Sequence, residues 1–422
     1  MKKTDFNRRR FLQLAAGSFL GVSTNKLFAA AGDASPLPPR SAPAKQLIYL
    51  YMAGGMSHLD TFDLKPGHPN QGSTRPINTN VDGIRFTSHL PSLAQHADKL
   101  CVINSLTSTA GDHEKGNYFM HTSYQQRATI RHPGLAAWNH KMQGKLNPTL
   151  PASVFIGRES RFHGSGGFFE PEFEPLAISE PRFGLKHART SIADDRFQRR
   201  RNLASDLDVE FLERYHSKPI RAYGDMYADA VRLMDSPDLA AFNINQEDAK
   251  SRRRYGDEPF GQGCLLARRL IERDVRTVEV SFGGWDTHQN NFTSLPVLCQ
   301  TMDRAVAALL DDLQRIGKLD DTVVVLTTEF GRTPIVNQNL GRDHYPKAFT
   351  SVVAGGGFKG GYVYGKTSAG AEEVVEKPLT IPDFNATIAY ALGIPTRQIV
   401  YSPSLRPFTV AHKGKPELAL LA

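Results

Sequence analysis

The sequence predicts an α/β fold with a mostly parallel central sheet flanked by helices on both faces. Short runs of β-branched and apolar residues alternate with longer segments in which apolar residues recur at helical spacing. The runs are apolar throughout, as buried parallel strands are. Each run ends in a cluster of polar side chains, and open α/β sheets bind ligands at the carboxyl ends of their strands. We therefore expect one functional site along that edge.

Composition excludes some classes of protein. The chain has 422 residues, of which 40% are apolar and 22% are charged, as in ordinary globular proteins. Its formal charge is +8, but residues 1–31 hold six basic residues and one acidic residue, which leaves only +3 for the rest. We therefore expect no nucleic-acid partner. The cysteines are few, odd in number and far apart, which favours buried thiols over disulfides or a cysteine metal site: Cys101, Cys264 and Cys299.

The N-terminus resembles a twin-arginine export signal. Residues 7–13 read Asn-Arg-Arg-Arg-Phe-Leu-Gln, with Arg8 and Arg9 as the pair. The apolar segment at 11–22 is too short and too rich in glycine and alanine for a stable membrane anchor. Small residues at 29–31 suit cleavage. We expect export by the twin-arginine translocase to the periplasm or another extracytoplasmic location, whereas the alternative is a disordered basic tail.

The predicted organisation follows from these signals. A signal peptide occupies 1–31, and a linker rich in proline, serine and alanine occupies 32–45. A single α/β domain extends over 46–410. Within it, 141–260 is less regular and predicts an insertion that covers one side of the site, where the choice of substrate would reside.

The first predicted strand, 46–52, leads into two glycines and then His58 and Asp60. The imidazole and the carboxylate are candidate ligands for a divalent metal, although the aspartate would also serve as a loop cap. A strand at 99–104 follows, and then a loop dense in serine, threonine, aspartate and histidine that contains His113. A helix should begin there, and its free N–H groups would favour an anion.

The strand at 277–282 ends in two glycines followed by Asp286 and His288. This loop mirrors the earlier one with the order of aspartate and histidine reversed. The alternative is a simple turn with a surface histidine. Amphipathic helices are predicted on either side of this loop, at 259–274 and 298–316.

The strand from Thr322 ends in a carboxylate, Glu329, and then Arg332. A carboxylate buried there needs a partner, and either a metal or the arginine would serve. The next polar loop supplies three more candidates: Arg342, Asp343 and His344. A strand at 349–354 and a helix at 383–392 complete the pattern.

Aspartate, glutamate and histidine without cysteine suit Zn²⁺ or Mn²⁺, and Mg²⁺ or Ca²⁺ if oxygen ligands dominate. So many candidates indicate one or two ions, and two metals can clamp both oxygens in ester hydrolysis. The candidate metal ligands are His58, Asp60, Asp286, His288, Glu329, Asp343 and His344.

Four motifs together resemble an exported family catalogued as domain of unknown function 1501, in the alkaline phosphatase and sulfatase superfamily. They are Gly-Gly-Met-Ser-His-Leu-Asp-Thr-Phe-Asp (54–63), Gly-Gly-Trp-Asp-Thr-His (283–288), Thr-Glu-Phe-Gly-Arg-Thr-Pro (328–334) and Gly-Arg-Asp-His-Tyr-Pro (341–346). The resemblance implies an alkaline phosphatase-like three-layer sandwich. It also implies an exported metal-dependent hydrolase acting on an anionic phosphate or sulfate ester. The alternative is a non-catalytic, metal-stabilised binding or assembly protein with the same fold.

The resemblance also implies roles for residues. Asp60 is similar to the aspartate that ends the first strand in characterised members, and Asp286, His288 and His344 are similar to metal ligands. Glu329 stands where an Asp-His pair is usual, so one histidine ligand is missing. His113 lies closest to the usual nucleophile and would be a ligand, general base or nucleophile. The nearby hydroxyls are alternative nucleophiles: Ser105, Thr107, Ser108 and Thr109. From the motifs themselves, we predict that Arg332 or Arg342 binds the anionic group of the substrate.

Overall fold

A computed structural model gives the structure of the chain, and it describes residues 40, 43–158, 164–186, 188, 193–214 and 218–422. The predicted signal peptide and most of the predicted linker lie outside these residues. No described helix is long and apolar enough to cross a membrane.

The described part of the chain forms one nine-stranded sheet. Its strands are β1 (Gln46–Met52), β2 (Leu100–Thr107), β3 (Ser153–Ile156), β4 (Leu176–Ile178), β5 (Thr277–Phe282), β6 (Thr322–Thr327), β7 (Phe349–Ala354), β8 (Tyr362–Tyr364) and β9 (Leu379–Thr380). The order is β8-β2-β7-β6-β1-β5-β3-β4, and β9 pairs with β2. Only β7 runs antiparallel to its neighbours, β2 and β6. The prediction of a mostly parallel central sheet is confirmed.

The helices are α1 (Pro91–Ala94), α2 (His113–Thr122), α3 (Leu135–Gln143), α4 (Asp194–Arg214), α5 (Lys218–Met234), α6 (Ala249–Tyr255), α7 (Pro259–Glu272), α8 (Asn291–Arg315) and α9 (Ile381–Ala391). Helices α7 and α8 bury their apolar sides in the core on one face of the sheet. Helices α2, α3 and α9 bury theirs in a second core on the other face. The predicted three layers are therefore present.

Strand β1 shows why the sheet has two cores. Ile48 and Leu50 point into one core, whereas Leu47 and Tyr49 point into the other. Successive side chains of a strand face opposite sides, so a strand between two helical layers must be apolar at every position. All seven residues of β1 are buried.

The structure differs from the predicted insertion at 141–260. Strands β3 and β4 fall inside this range and extend the central sheet beyond β5. Part of this range therefore belongs to the central sheet. Its helices α4, α5 and α6 follow β4.

In the described part of the chain, four short antiparallel pairs lie outside the main sheet: Pro76–Asn78 with Arg85–Thr87, Gly331–Arg332 with His344–Tyr345, Lys366–Thr367 with Val374–Glu376, and Val400–Tyr401 with Pro407–Phe408. The second pair places His344 opposite Arg332. It returns the loop after β6 to the carboxyl edge of the sheet.

Candidate metal centre

Three strands end side by side and carry the loops of the candidate site. In register, Met52 of β1 lies beside Phe282 of β5, and Tyr51 lies beside Thr327 of β6. The loops that follow therefore leave the sheet at its carboxyl edge, where open α/β sheets bind ligands. Helix α2, which follows β2, brings its first residue, His113, to these loops.

Asp286, His113, His288 and His344 converge at this edge, and we call these four residues the histidine–aspartate cluster. Asp286 Oδ1 lies 3.1 Å from His288 Nε2 and 3.3 Å from His344 Nε2. Asp286 Oδ2 lies 3.2 Å from His113 Nε2. The Nε2 atoms of His288 and His344 are 3.0 Å apart. One ligand atom from each of His113, Asp286 and His344 lies within 4.8 Å of the other two.

The remaining ring nitrogen of each histidine is held by an oxygen. The acceptors are Glu329 Oε1 for His113 (2.7 Å), Asp343 Oδ1 for His288 (2.7 Å) and the Gly111 carbonyl for His344 (2.9 Å). Ionised carboxylates and carbonyls only accept, so each Nδ1 carries the hydrogen. Each Nε2 of a neutral ring therefore presents its lone pair to the cluster. Metal-binding histidines are oriented in this way by outer acceptors.

The cluster fits a divalent ion. Ligand atoms about 2.0–2.1 Å from a tetrahedral ion stand about 3.3 Å from one another, and the nitrogen–oxygen distances here are 3.1 to 3.3 Å. His113 Nε2 is buried and has no hydrogen bond among the described residues. Two Nε2 lone pairs 3.0 Å apart need a shared proton or cation between them. A set of three imidazoles and one carboxylate suits Zn²⁺ or Mn²⁺ better than Mg²⁺ or Ca²⁺.

Glu329 lies behind His113 and has no exposed surface. Its Oε1 accepts from His113 Nδ1 at 2.7 Å and from the Gly54 N–H at 2.8 Å. Its Oε2 accepts from the hydroxyls of Tyr51 and Thr328, each at 3.0 Å. Burial alone would raise the pKa of Glu329, but these donors, His113 first, hold it below its usual value. Glu329 is therefore a buried anion that orients His113.

Arg332 is fully buried and forms an ion pair with Asp286. Its Nε donates to the Gly55 carbonyl at 2.9 Å, and its Nη2 donates to the Gly54 carbonyl and to Asp286 Oδ1. Burial opposes ionisation of Asp286, but Arg332 and the neighbouring histidines lower its pKa to about 2. A Cβ at Gly54, whose φ is +121°, would stand 2.5 Å from the Asp286 nitrogen. Glycine is therefore required for this close approach.

Asp60 and Arg342 form a buried pair apart from the cluster. Arg342 Nε donates to Asp60 Oδ2 at 2.7 Å, and Nη2 donates to Oδ1 at 3.0 Å. Asp60 also accepts bonds from Ser57 (2.7 Å), Thr74 (3.0 Å) and Asn291 (2.9 Å). The carboxylate is thus saturated by the protein. We leave Asp60 out of the ligand set and Arg342 out of the substrate contacts.

His58 also lies apart from the cluster. Its ring is buried, and its Nε2 faces the Ala371 carbonyl at 3.1 Å. Burial lowers the pKa of His58 below its usual value. The neutral ring packs beside Gly331, where a Cβ would lie 3.0 Å from His58 Nδ1. His58 therefore fills the space beneath the short strand pair that carries His344.

Three of the four hydroxyls predicted as alternative nucleophiles bond elsewhere or are buried. Thr107 Oγ1 faces the Leu379 carbonyl at 3.5 Å, and Ser108 Oγ faces the Ala110 carbonyl at 3.4 Å. Ser105 Oγ is buried without a hydrogen bond among the described residues. Thr109 is exposed. Within the described part of the chain, no recorded serine or threonine hydrogen bond reaches the cluster.

Three contributors to the site were not predicted. Tyr51 binds Glu329 and lies on the same face of β1 as Tyr49, so its alternation along the strand was an available signal. Asn337 Nδ2 donates to the His288 carbonyl at 3.0 Å and to Asp343 Oδ1 at 3.1 Å. The Gly111 carbonyl is a backbone group, for which the sequence gives no signal.

The cluster is open to solvent. The exposed fractions of its side chains are 46% for Asp286, 41% for His288, 33% for His113 and 24% for His344. A small molecule can therefore approach the cluster from outside, although His113 Nε2 itself is covered. The arrangement can hold a cation and present it to a ligand, while Glu329, Asp343 and Arg332 fix the donors from behind.

Several solved structures resemble the chain in fold at low sequence identity. The PsFucS1 sulfatase from Pseudoalteromonas has a TM-score of 0.41 and 10% identity, with 89% of this chain and 73% of that chain covered. The lipoteichoic acid synthase LtaP from Listeria monocytogenes has a TM-score of 0.40 and 10% identity, with 86% and 76% covered. A protein in the alkaline phosphatase superfamily from Vibrio parahaemolyticus has a TM-score of 0.35 and 12% identity, with 92% of this chain and 76% of that chain covered.

No curated protein matches the chain. The family model described as protein of unknown function DUF1501 matches residues 44–420. This span contains every strand of the central sheet and all four members of the histidine–aspartate cluster. The resemblance carried by the four motifs is thereby confirmed, and the chain belongs to the DUF1501 family.

Proposed function

We propose that the mature chain is an exported hydrolase of phosphate or sulfate esters that depends on one divalent ion bound by the histidine–aspartate cluster. One observation carries this proposal. Three imidazoles direct Nε2 at Asp286, and the Nδ1 of each is hydrogen-bonded to an acceptor. Apart from Asp286 and His288, which share a loop, these residues are far apart in the sequence. So many lone pairs and a carboxylate at one solvent-open place favour a cation.

In this proposal His113, Asp286 and His344 are the principal ligands, and His288 is the fourth. Glu329 and Asp343 hold two of the rings by Nδ1 and keep Nε2 free of hydrogen. Arg332 keeps Asp286 ionised and fixes its carboxylate. When bound, the ion supplies Lewis acidity to the ester group. Because the recorded serine and threonine contacts of the described residues bypass the cluster, we assign the attack to water and not to a covalent nucleophile.

Export rests on the N-terminal segment alone. The Arg8-Arg9 pair, the short apolar stretch and the small residues before 32 support a twin-arginine signal. This segment lies outside the described residues. In this proposal the chain folds in the cytoplasm, crosses the membrane folded and acts outside the cytoplasm.

One observation favours the second candidate, a non-catalytic metal-stabilised protein. Both arginines that the sequence offered for substrate binding are fully buried and already bonded, Arg332 to Asp286 and backbone carbonyls and Arg342 to Asp60. A hydrolase of esters would then bind the anionic group without them. Turnover is what separates the two candidates.

The test begins with metal analysis of the purified mature protein. We expect about one Zn²⁺ or Mn²⁺ per chain, removed by a chelator and restored by either ion. A panel of chromogenic phosphate and sulfate esters should then show turnover in the loaded protein and none after chelation. Asp286→Asn is the matched inactive variant, and His96→Ala, at a partly buried histidine paired with Asp311, is the control. Bound ion without turnover on any ester would select the non-catalytic candidate, and absence of ion would reject both.

A further inference from the structure

The formal charges of the candidate centre cancel when a divalent ion is counted with the side chains around it. Three carboxylates surround the ion position: Asp286, Asp343 and Glu329. Carboxylates of ordinary pKa, about 4, are ionised at neutral pH, and each of these three accepts a hydrogen bond from a histidine or an arginine. Arg332 supplies one positive charge. A divalent ion among neutral histidines would therefore bring the formal charge of the centre to zero.

Among the described residues, the recorded ion pairs of the cluster carboxylate come from Arg332 and the three histidines. The next guanidinium along the loop, Arg342, has no exposed surface and is neutralised by Asp60. At the N-terminus of α2, Asp112 and Lys115 neutralise each other at 3.0 Å. Among the described residues, Arg332 is thus the arginine or lysine that acts on Asp286, and the other partners of the three carboxylates are histidines or neutral groups.

We propose that the group bound at this centre carries one negative charge, as in a phosphodiester or a sulfate ester, and not the two charges of a phosphate monoester. A dianion would leave two negative charges beside Asp286 and Asp343 without a partner, and like charges at short range repel. One negative charge is compensated more easily, because the cluster is open to water and the N–H groups of α2 begin at His113. This inference rests on the proposed hydrolase function and specifies its substrate class.

Binding tests this inference directly, because the intrinsic reactivities of the esters differ too much for rates to be compared. Three compounds share a phenyl group: phenylphosphonate, its monomethyl ester and benzenesulfonate. At a pH where phenylphosphonate carries two charges, the other two carry one. Calorimetry with the ion-loaded mature protein should show both monoanions binding about tenfold tighter than the dianion, or more. The methyl ester reports on phosphodiesters and the sulfonate reports on sulfate esters.

A change of charge gives an independent readout. Asp343→Asn keeps an oxygen that can accept from His288 Nδ1 but removes one negative charge from the centre. The preference for monoanions should fall by about tenfold in this variant, whatever its activity. Asp311→Asn removes an exposed carboxylate that pairs with His96 and Arg254, and should leave the preference unchanged.

Equal or tighter binding of the dianion overturns the inference, as does an unchanged preference in Asp343→Asn. If a phosphate monoester is nevertheless hydrolysed, the proposed function stands and only this inference fails. If the ion-loaded protein binds none of the three compounds and hydrolyses no ester, both fail together.

Discussion

The guanidinium of Arg342 lies against both carboxylate oxygens of Asp60, at 2.7 and 3.0 Å, and neither side chain is exposed. These residues belong to the first and last of the four sequence motifs. The pair therefore ties the loop after β1 to the loop that carries His344. Two residues whose types suggested catalysis instead fix the positions of the loops around the centre.

The first prediction follows from this pair. Asp60→Asn leaves Arg342 as a buried charge without its partner, and breaking such a pair costs about 3–5 kcal/mol. We expect the free energy of unfolding in denaturant to fall by about this amount, while the folded variant still binds about one ion per chain. Loss of the ion with unchanged stability would make Asp60 a ligand after all.

The second prediction concerns the cluster. His344→Ala removes one of three principal donors, so metal content should fall sharply, and the melting temperature should no longer respond to added Zn²⁺. His58→Ala is the matched control, because this histidine is buried nearby but bonds to a backbone carbonyl. It should lower stability and keep the response to metal. If both variants kept that response, the proposed ligand set would have to be abandoned.

The third prediction concerns Glu329. Glu329→Gln preserves the shape of the side chain but removes the charge that holds His113 Nδ1. Changes in such outer partners typically weaken metal binding about 10–100-fold, and competition with a chelator should show this loss. Glu376→Gln, at an exposed glutamate paired with Lys366, serves as the control. Unchanged affinity in Glu329→Gln would show that His113 needs no such support.

The fourth prediction is a dependence of stability on pH. Burial lowers the pKa of His132 to about 4, from an ordinary value of 6.5. Below pH 6.5 the unfolded chain therefore binds a proton that the folded protein excludes. Stability should fall as the pH drops from 6.5 towards about 4, by up to about 1.4 kcal/mol per pH unit for this group. His132→Gln should reduce the slope of the melting temperature against pH over this range, and an identical slope would contradict the assignment.

The fifth prediction concerns export. Arg8→Lys combined with Arg9→Lys keeps the charge but removes the arginine pair. We expect unprocessed precursor to accumulate in the cytoplasm, as measured by fractionation and by the mass of the chain. Lys2→Arg with Lys3→Arg is the charge-preserving control and should be exported. Normal processing of the first double variant would exclude the twin-arginine route.

Much of the framework was predictable because each buried strand is a short apolar run with polar ends. Strands Gln46–Met52 and Thr277–Phe282 have the predicted bounds. Helix α8 begins at Asn291, seven residues before its predicted start, and contains Pro296. Proline lacks a backbone hydrogen-bond donor and is unfavourable inside a helix. The sequence pattern therefore predicted a helix only after Pro296.

The candidate site was only partly predictable. Loops at one edge of a parallel sheet must meet, which is why Asp286, His288 and His344 could be grouped from the sequence. Asp60 could not be assigned correctly, because its partner Arg342 lies 282 residues away in the chain. Residue type identifies a carboxylate, but only the fold shows whether a guanidinium already neutralises it.

The antiparallel strand β7 determines the order in which the centre can assemble during synthesis. In the described sheet, β7 (residues 349–354) lies between β6 and β2, and β2 precedes the helix that carries His113. Ribosomes add about 5–20 residues per second from the N-terminus. About 240 residues separate His113 from β7 along the chain. The other three ligands of the cluster are therefore synthesised before the strand that places β2 and the His113 helix in the sheet.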